Sequence, residues 1–344
     1  MHLMLKETTK YDLLSLGEVM LRLDPGDDRI RTAVQFRAWE GGGEYNVAKA
    51  LSACFGMRTG IVTAIGADEV GALLLNRMRQ GGVDTQYVMQ CRGLRNGLNF
   101  TEKGFGVRGA LGVSDRRFSA ASQMQVGDVD WDRIFSQGVR ILHTGGIFAA
   151  LSASSAAFLQ DAVRCAKKHN VAVSYDLNYR ASLWNVNGGM KNAHAVNRSI
   201  LPYVDILFGN ETDYADALGI KQASFAECAQ AVREMFPNVQ VLATSLRTVH
   251  SASRNDWSGQ MYADGKLLCG KTMKDIEIFD RVGGGDSFAS GVLYGMLSGM
   301  EPKTALEYGI AHGALVMTTP GDTSMATLPE VEALMHGQSP RIIR

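Results

Sequence analysis

Three consecutive glycines, Gly283, Gly284 and Gly285, run directly into a carboxylate, Asp286, within Asp280-Arg281-Val282-Gly283-Gly284-Gly285-Asp286-Ser287-Phe288. Glycines let the backbone turn sharply and aim several N–H groups at one point. Apolar side chains at helical spacing from Phe288 to Met296 place that turn at a helix N-terminus. Free N–H groups and the helix dipole both favour an anion there. A carboxylate in such a place repels what the glycines attract. It makes chemical sense if Asp286 takes a proton from a hydroxyl that attacks a phosphoryl group held beside it. The same residues also suit a plain turn in which the aspartate caps its own helix, and this stretch alone leaves both readings open.

The rest of the chain must supply a frame for that turn. Short β-like runs at 13–16, 60–65, 140–143, 171–175, 206–208 and 239–243 alternate with helical patterns at 47–55, 70–81, 154–168 and 224–236. After Asp286 the pattern is helical, over 286–300 and then 302–318, with Pro302 suited to a first turn. This alternation predicts an α/β fold of three layers, a mostly parallel Rossmann-like sheet with helices on both faces. Segments 20–39 and 97–118 break the alternation, being rich in Arg, Gly and aromatics with no helix between. They suit a small antiparallel β lid that excludes water from a site, or else long surface loops. No repeat, low-complexity tract or linker divides the sequence, so one domain over 1–344 carrying that lid is expected.

Composition narrows the function. Basic and acidic residues balance at 35 each, so nothing argues for nucleic acid. No apolar run approaches the roughly 18 residues that span a bilayer. The N-terminal stretch 1–10 is polar and lacks the apolar centre of a signal peptide. The five cysteines are scattered without metal-ligand spacing. Reduced thiols in a cytoplasmic protein are therefore expected. The many methionines, with Tyr45, Phe105 and Phe118, read as packing residues.

One match is a decoy. Gly265-Lys266-Leu267-Leu268-Cys269-Gly270-Lys271-Thr272 fits the P-loop pattern letter for letter. A working P-loop needs a strand before it and a helix after it. Here Asp264-Gly265 signals a hairpin turn, and 274–279 alternates like a strand. A dinucleotide fingerprint is also absent, since Gly41-Gly42-Gly43-Glu44-Tyr45-Asn46 ends in Asn46 where a glycine belongs.

That second glycine run opens its own helix, with Val47-Ala48-Lys49-Ala50-Leu51 following, and Ile65-Gly66-Ala67-Asp68-Glu69-Val70-Gly71 comes next. With these two signatures early and the Asp280–Phe288 run late, the chain resembles the ribokinase-like (PfkB) carbohydrate kinases over nearly its whole length. The resemblance implies Asp286 as catalytic base and Gly283 to Gly285 as the anion hole for the transferring phosphate. Gly284 replaces the usual alanine. It implies sugar contacts from Gly41, Gly42 and Asn46. Asn210-Glu211-Thr212-Asp213 is similar to the motif that organises Mg²⁺ and phosphates, with Asp213 one methylene shorter than the usual Glu. The nucleotide-side turn lacks its usual glycines in Thr244-Ser245-Leu246-Arg247-Thr248-Val249-His250-Ser251, leaving Thr244 and Arg247 as candidate ATP contacts. Asp280 resembles a position that helps bind a monovalent cation, K⁺, in some relatives. Lids of this family often pair into homodimers.

Within the family the sequence is most similar to 2-keto-3-deoxygluconate kinases, through Asp176-Leu177-Asn178-Tyr179-Arg180 with Leu183-Trp184, and through 115–122. A sugar acid brings a carboxylate, and arginine binds one with paired, charge-assisted hydrogen bonds. Arg180 follows a strand end, where ligands of open α/β sheets bind, and Arg116 ends the proposed lid. Arg180 could instead pair with Asp176 or Asp205, and Arg116 and Arg117 could be a solvated edge. The expected activity is ATP-dependent phosphorylation of the terminal hydroxyl of a 2-keto-3-deoxy sugar acid. The rivals are a same-fold kinase for a neutral sugar or nucleoside, and a non-catalytic sugar-binding regulator.

Overall fold

The computed structural model describes residue 5 and residues 10–337, so most of the polar stretch 1–10 lies outside the described residues. In chain order the strands are β1 (Tyr11–Leu16), β2 (Met20–Asp24), β3 (Arg37–Gly41), β4 (Thr59–Gly66), β5 (Asp84–Cys91), β6 (Leu98–Glu102) and β7 (Leu111–Asp115). β8 (Val139–Gly145), β9 (Ala172–Asp176), β10 (Ile206–Phe208), β11 (Val241–Ser251), β12 (Arg254–Ala263), β13 (Lys266–Cys269) and β14 (Met273–Glu277) follow. The large sheet runs β13-β12-β11-β10-β9-β8-β1-β4-β5, with β14 also paired to β12. From β11 to β5 every pairing is parallel. β12 runs antiparallel to its neighbours β11, β13 and β14.

The apolar strands explain this order. All of β1 is buried, as expected when helices cover both faces of a parallel sheet. Successive side chains point to opposite faces. Leu14 and Leu16 enter one core with Leu142 and Val173, while Leu13 enters the other with Ile61 and Ile141. Helices Ala153–Lys168, Gly189–Ile200 and Phe225–Met235 close the first core. Helices Gly43–Ala53, Glu69–Gln80, Gly284–Leu297 and Pro302–Val316 close the second. The three-layer α/β architecture is the expected one.

The two irregular segments form a separate sheet, β3-β2-β6-β7. Its outer pairings are antiparallel and its central one, β2 with β6, is parallel. Asp264 and Gly265 hold φ of 51° and 77° between β12 and β13, so the P-loop look-alike is a hairpin. Two other readings need correction. The glycine-free stretch after Ala243 is no turn but the continuation of β11, because its β-branched residues ladder onto β12. Phe105 and Phe118 are 74% and 73% exposed, not packed. Among the described residues no helix is long and apolar enough to cross a membrane.

The last two long helices approach so closely that only glycine fits between them. A Cβ on Gly291 would lie 2.5 Å from the Tyr308 carbonyl oxygen, and one on Gly295 would lie 2.5 Å from Ala305 Cα. Gly291→Ala gains about 1 kcal/mol of helix propensity, but the overpacking costs about 1–3 kcal/mol. The clash wins because its neighbour is backbone. We expect a lower urea midpoint for this variant, measured by circular dichroism.

Candidate active site

Two glycine turns, each at a helix start, open into one cleft of about 990 Å³. The first is the Gly283 turn, where φ is 81°. A Cβ there would sit 2.0 Å from the Asp322 carbonyl oxygen, so glycine is required twice over, by conformation and by space. No side chain caps the helix Gly284–Leu297 that follows, which leaves its first N–H groups for a ligand. The second turn has Gly42 before helix Gly43–Ala53. Strand ends β9, β10 and β11 supply Asp176, Phe208 and Thr244 to the cleft, and the small sheet supplies Asn99, Thr101 and Ser114.

Asp286 is where the two turns meet. Its Oδ2 accepts a 2.7 Å hydrogen bond from Asn46 Nδ2, 240 residues away. Its Oδ1 faces Gly43, 3.5 Å from where a Cβ would stand. The carboxylate therefore does not cap its own helix, which removes the structural alternative. Burial pushes its pKa above the ordinary carboxylate range, while the Asn46 hydrogen bond and Arg180 pull it back. The result is a carboxylate more basic than an exposed one, which favours proton abstraction. Asn46 keeps its own Oδ1 buried and, among the described residues, unpaired.

Arg180 is exposed in the cleft, and its one hydrogen bond among the described residues goes to the Tyr179 carbonyl, at 3.0 Å. Asp205 is held by Lys167 instead. Among the described residues no carboxylate forms an ion pair with Arg180, yet its charge acts on Asp286, Asp176 and Asp213. Arg116 is buried and lines the cleft, so it is no solvated edge, but its Nε is bonded to buried Glu18. Arg117 is exposed.

Asn210 and Asp213 form a capping box. Asn210 Oδ1 accepts the Thr212 and Asp213 N–H groups, and Asp213 accepts the N–H groups of Asn210 and Tyr179. Both oxygens of Asp213 are thus engaged with backbone. Burial and neighbouring carboxylates push Asp176 and Asp213 upward. An all-oxygen wall of this kind suits a hydrated Mg²⁺. On the neighbouring strand β11, Thr244 and Arg247 also line the cleft, together with Arg281. The two arginines have no acidic partner among the described residues, and burial followed by the charge of Arg281 lowers the pKa of Arg247. An anion would relieve that repulsion. Asp280, expected near a monovalent cation, has Oδ2 on Arg22 Nη2 at 2.6 Å and Oδ1 on the Val282 N–H at 3.2 Å.

Residues 10–329 match the profile of the pfkB family carbohydrate kinases. The chain belongs to that family. It is 27% identical to the 2-dehydro-3-deoxygalactonokinase of Haloferax volcanii, over 95% of this chain and 97% of that one. It is 28% identical to the 5-dehydro-2-deoxygluconokinase of Bacillus subtilis, over 97% and 98%. The crystal structure of a 2-dehydro-3-deoxygluconokinase from Thermotoga maritima superposes with a TM-score of 0.88 at 34% identity, covering 94% of this chain and 99% of that one.

Against this kinase frame the site residues divide. Asp286, Gly283 to Gly285, Gly42, Asn46, Arg116, Arg180, Asn210, Asp213, Thr244 and Arg247 share the cleft. Gly41 sits behind its wall against Asp322, and Gly43 takes its place at the surface. Sequence reasoning missed Arg281 and Asp322. A basic residue inside an anion turn was a readable signal for the first, while nothing local marked the second. Asn178 holds a φ of 33° in the cleft, an outlier of the sort that gathers at functional sites.

Glu44 lies beneath this site. Its Oε2 is buried without a partner, and burial pushes its pKa from 4.5 up to about 7. A carboxyl raised on folding holds its proton more tightly in the native state, so this group lowers stability as pH rises from about 4.5 to about 7. Glu44→Gln should therefore be more stable than the parent at pH 8, by on the order of 2–3 kcal/mol. The gain should vanish near about pH 3.5, where the glutamate is protonated in both the folded and the unfolded chain. Urea unfolding at the two pH values checks this, and an equal difference at both would refute it.

Proposed function

We propose that this enzyme transfers the γ-phosphoryl group of ATP to the terminal hydroxyl of 2-keto-3-deoxygluconate, giving the 6-phosphate. The observation that carries the reading is Asp286. It is a raised, partly buried carboxylate bonded to Asn46 and set at the start of an uncapped helix. The substrate class rests on Arg180, a cation in the cleft with no acidic partner among the described residues. A neutral sugar or nucleoside would bring no carboxylate for Arg180 to bind. The T. maritima and H. volcanii relatives bear the names of kinases for 2-dehydro-3-deoxy sugar acids.

In this mechanism the sugar carboxylate rests on Arg180, with Arg116 behind it and partly neutralised by Glu18. Asn46 and the Gly42–Gly43 turn hold the hydroxyl end beside Asp286. Asp286 accepts the hydroxyl proton as that oxygen bonds to the γ-phosphorus, and the bond to the bridging oxygen breaks, releasing ADP. Amides of Gly283 to Gly285 stabilise the charge on the moving group. Thr244, Arg247 and Arg281 face the nucleotide. Asn210 and Asp213 would hold Mg²⁺ through its water shell, and that ion supplies charge neutralisation between the phosphates. Potassium is left out of this reading, because buried Asp280 is already neutralised by the Arg22 guanidinium.

The small sheet acts as the lid, keeping water from the phosphoryl group. Its outer strand β7 leaves Leu111 and Val113 half exposed. That is the face on which a second copy of the chain would dock to form a homodimer.

Two outcomes test the reading. Asp286→Asn should lower kcat by about 10²-fold or more, and the parent enzyme should lose kcat/KM as pH falls through the raised Asp286 pKa, because only the ionised carboxylate can take a proton. An Asn variant with near-parental turnover in an ADP-release assay ends the assignment. Arg180→Ala should raise KM for the sugar acid by about 10- to 100-fold and KM for ATP far less. Equal changes in both would show that Arg180 does not read the carboxylate.

A further inference from the structure

Among the described residues Arg22 is the largest charged side chain sealed inside the protein, with no exposed surface at all. It lies on the lid strand β2, yet its guanidinium points into the body of the protein. Nη2 donates to Asp280 Oδ2 and Nη1 donates to Asp322 Oδ1, both at 2.6 Å, across 258 and 300 residues of sequence. Asp24 stands 3.6 Å from the same Nη2.

Both partners bracket the anion turn. The free oxygen of Asp280 takes the Val282 N–H, so Asp280 sets the chain that enters Gly283. The Asp322 carbonyl packs on Gly283, and its Oδ2 packs on Gly41 of the sugar-side turn. A shift of either aspartate therefore moves the amides that face the phosphoryl group. We propose that Arg22 is a positioning residue for phosphoryl transfer, a lid-borne guanidinium that fixes the Gly283 turn by gripping the aspartates on its two flanks.

Charge supports the same role. Three carboxylates, Asp24, Asp280 and Asp322, surround this single cation, and Asp286 acts on Asp322 as a fourth negative group. Without Arg22 their combined field would oppose an incoming phosphate. Stability alone gives little reason to keep such a group, because buried ion pairs are often no better than apolar packing. Its fork geometry does give a reason. A planar guanidinium spans two separate carboxylates, whereas an ammonium is a point charge.

The inference rests on the kinase reading, and the test separates the two. Parent, Arg22→Lys and Asp322→Asn enzymes are compared for urea stability, ADP affinity by calorimetry, and kcat and KM with Mg·ATP and 2-keto-3-deoxygluconate. A parent enzyme without phosphotransfer would sink the kinase reading itself, and this proposal with it. Given an active parent, folded Arg22→Lys should keep its ADP affinity and its KM for the sugar acid within about threefold, while kcat falls about tenfold or more, as for a small misplacement of catalytic groups. If the lysine variant fails to fold, Asp322→Asn, which loses one anchor and no packing volume, should show the same selective fall in kcat. A folded variant with kcat within about twofold of the parent, or with kcat falling only in step with the folded fraction, overturns the proposal.

Discussion

The hydrogen bond from Asn46 to Asp286 is the contact on which the site depends. Each residue sits in the first turn of a helix that begins with glycine, and the two helices come from distant parts of the sequence. Their packing against the same face of the sheet, through Tyr45, Val47, Phe288 and Val292, fixes that meeting point. A carboxylate is ordinarily favoured at a helix N-terminus, but one that bound its own helix amides would compete with an incoming anion for them. Here the Asn46 amide holds one oxygen, and the other is left toward Gly43. The aspartate is thus kept ionisable and aimed, while the Gly283 amides remain available for phosphate.

The distribution of charge across the cleft follows from the same constraint. Burial raises the pKa of Asp176, Asp213 and Asp286 in the cleft, and Asp213 and Asp286 push Asp176 up further. Arg180 acts on all three and makes no ion pair among the described residues, while Arg281 lowers the pKa of Arg247 elsewhere in the cleft. Unpaired charges of either sign are costly near low-dielectric walls. The arrangement is at its lowest energy only with ligands of complementary sign in place: a metal among the acids, and carboxylate and phosphates among the bases.

Much of this was legible in the sequence because it is local. Apolar runs with period two gave the buried parallel strands, and glycine runs before helical patterns gave both ligand turns. The Asp264-Gly265 hairpin was readable from turn chemistry alone, even under a matching P-loop string. What escaped was nonlocal or half-wet. β5 is a partly exposed edge strand with alternating polar residues, so no apolar run marks it. The second half of β11 is exposed and gains its ladder only from β12. Arg22 and Asp322 carry no local signature, since their meaning arises from contact across most of the chain. Gly41 and Gly43 are indistinguishable in sequence, and only the path of the helix decides which one faces the cleft.

The loop between β6 and β7 reaches past the sugar side of the cleft. The Ala252 N–H donates to the Gly106 carbonyl at 2.8 Å, and the Gly106 N–H donates to Ser253 Oγ at 2.9 Å. Lys103 lies 4.4 Å over the Phe279 ring close by. These contacts join the lid tip to the hairpin at the nucleotide end, so the mouth of the cleft is bridged as well as roofed. Three weak contacts of about 1 kcal/mol each make a latch that thermal motion can release. Any opening of the small sheet away from this hairpin has to break these contacts first.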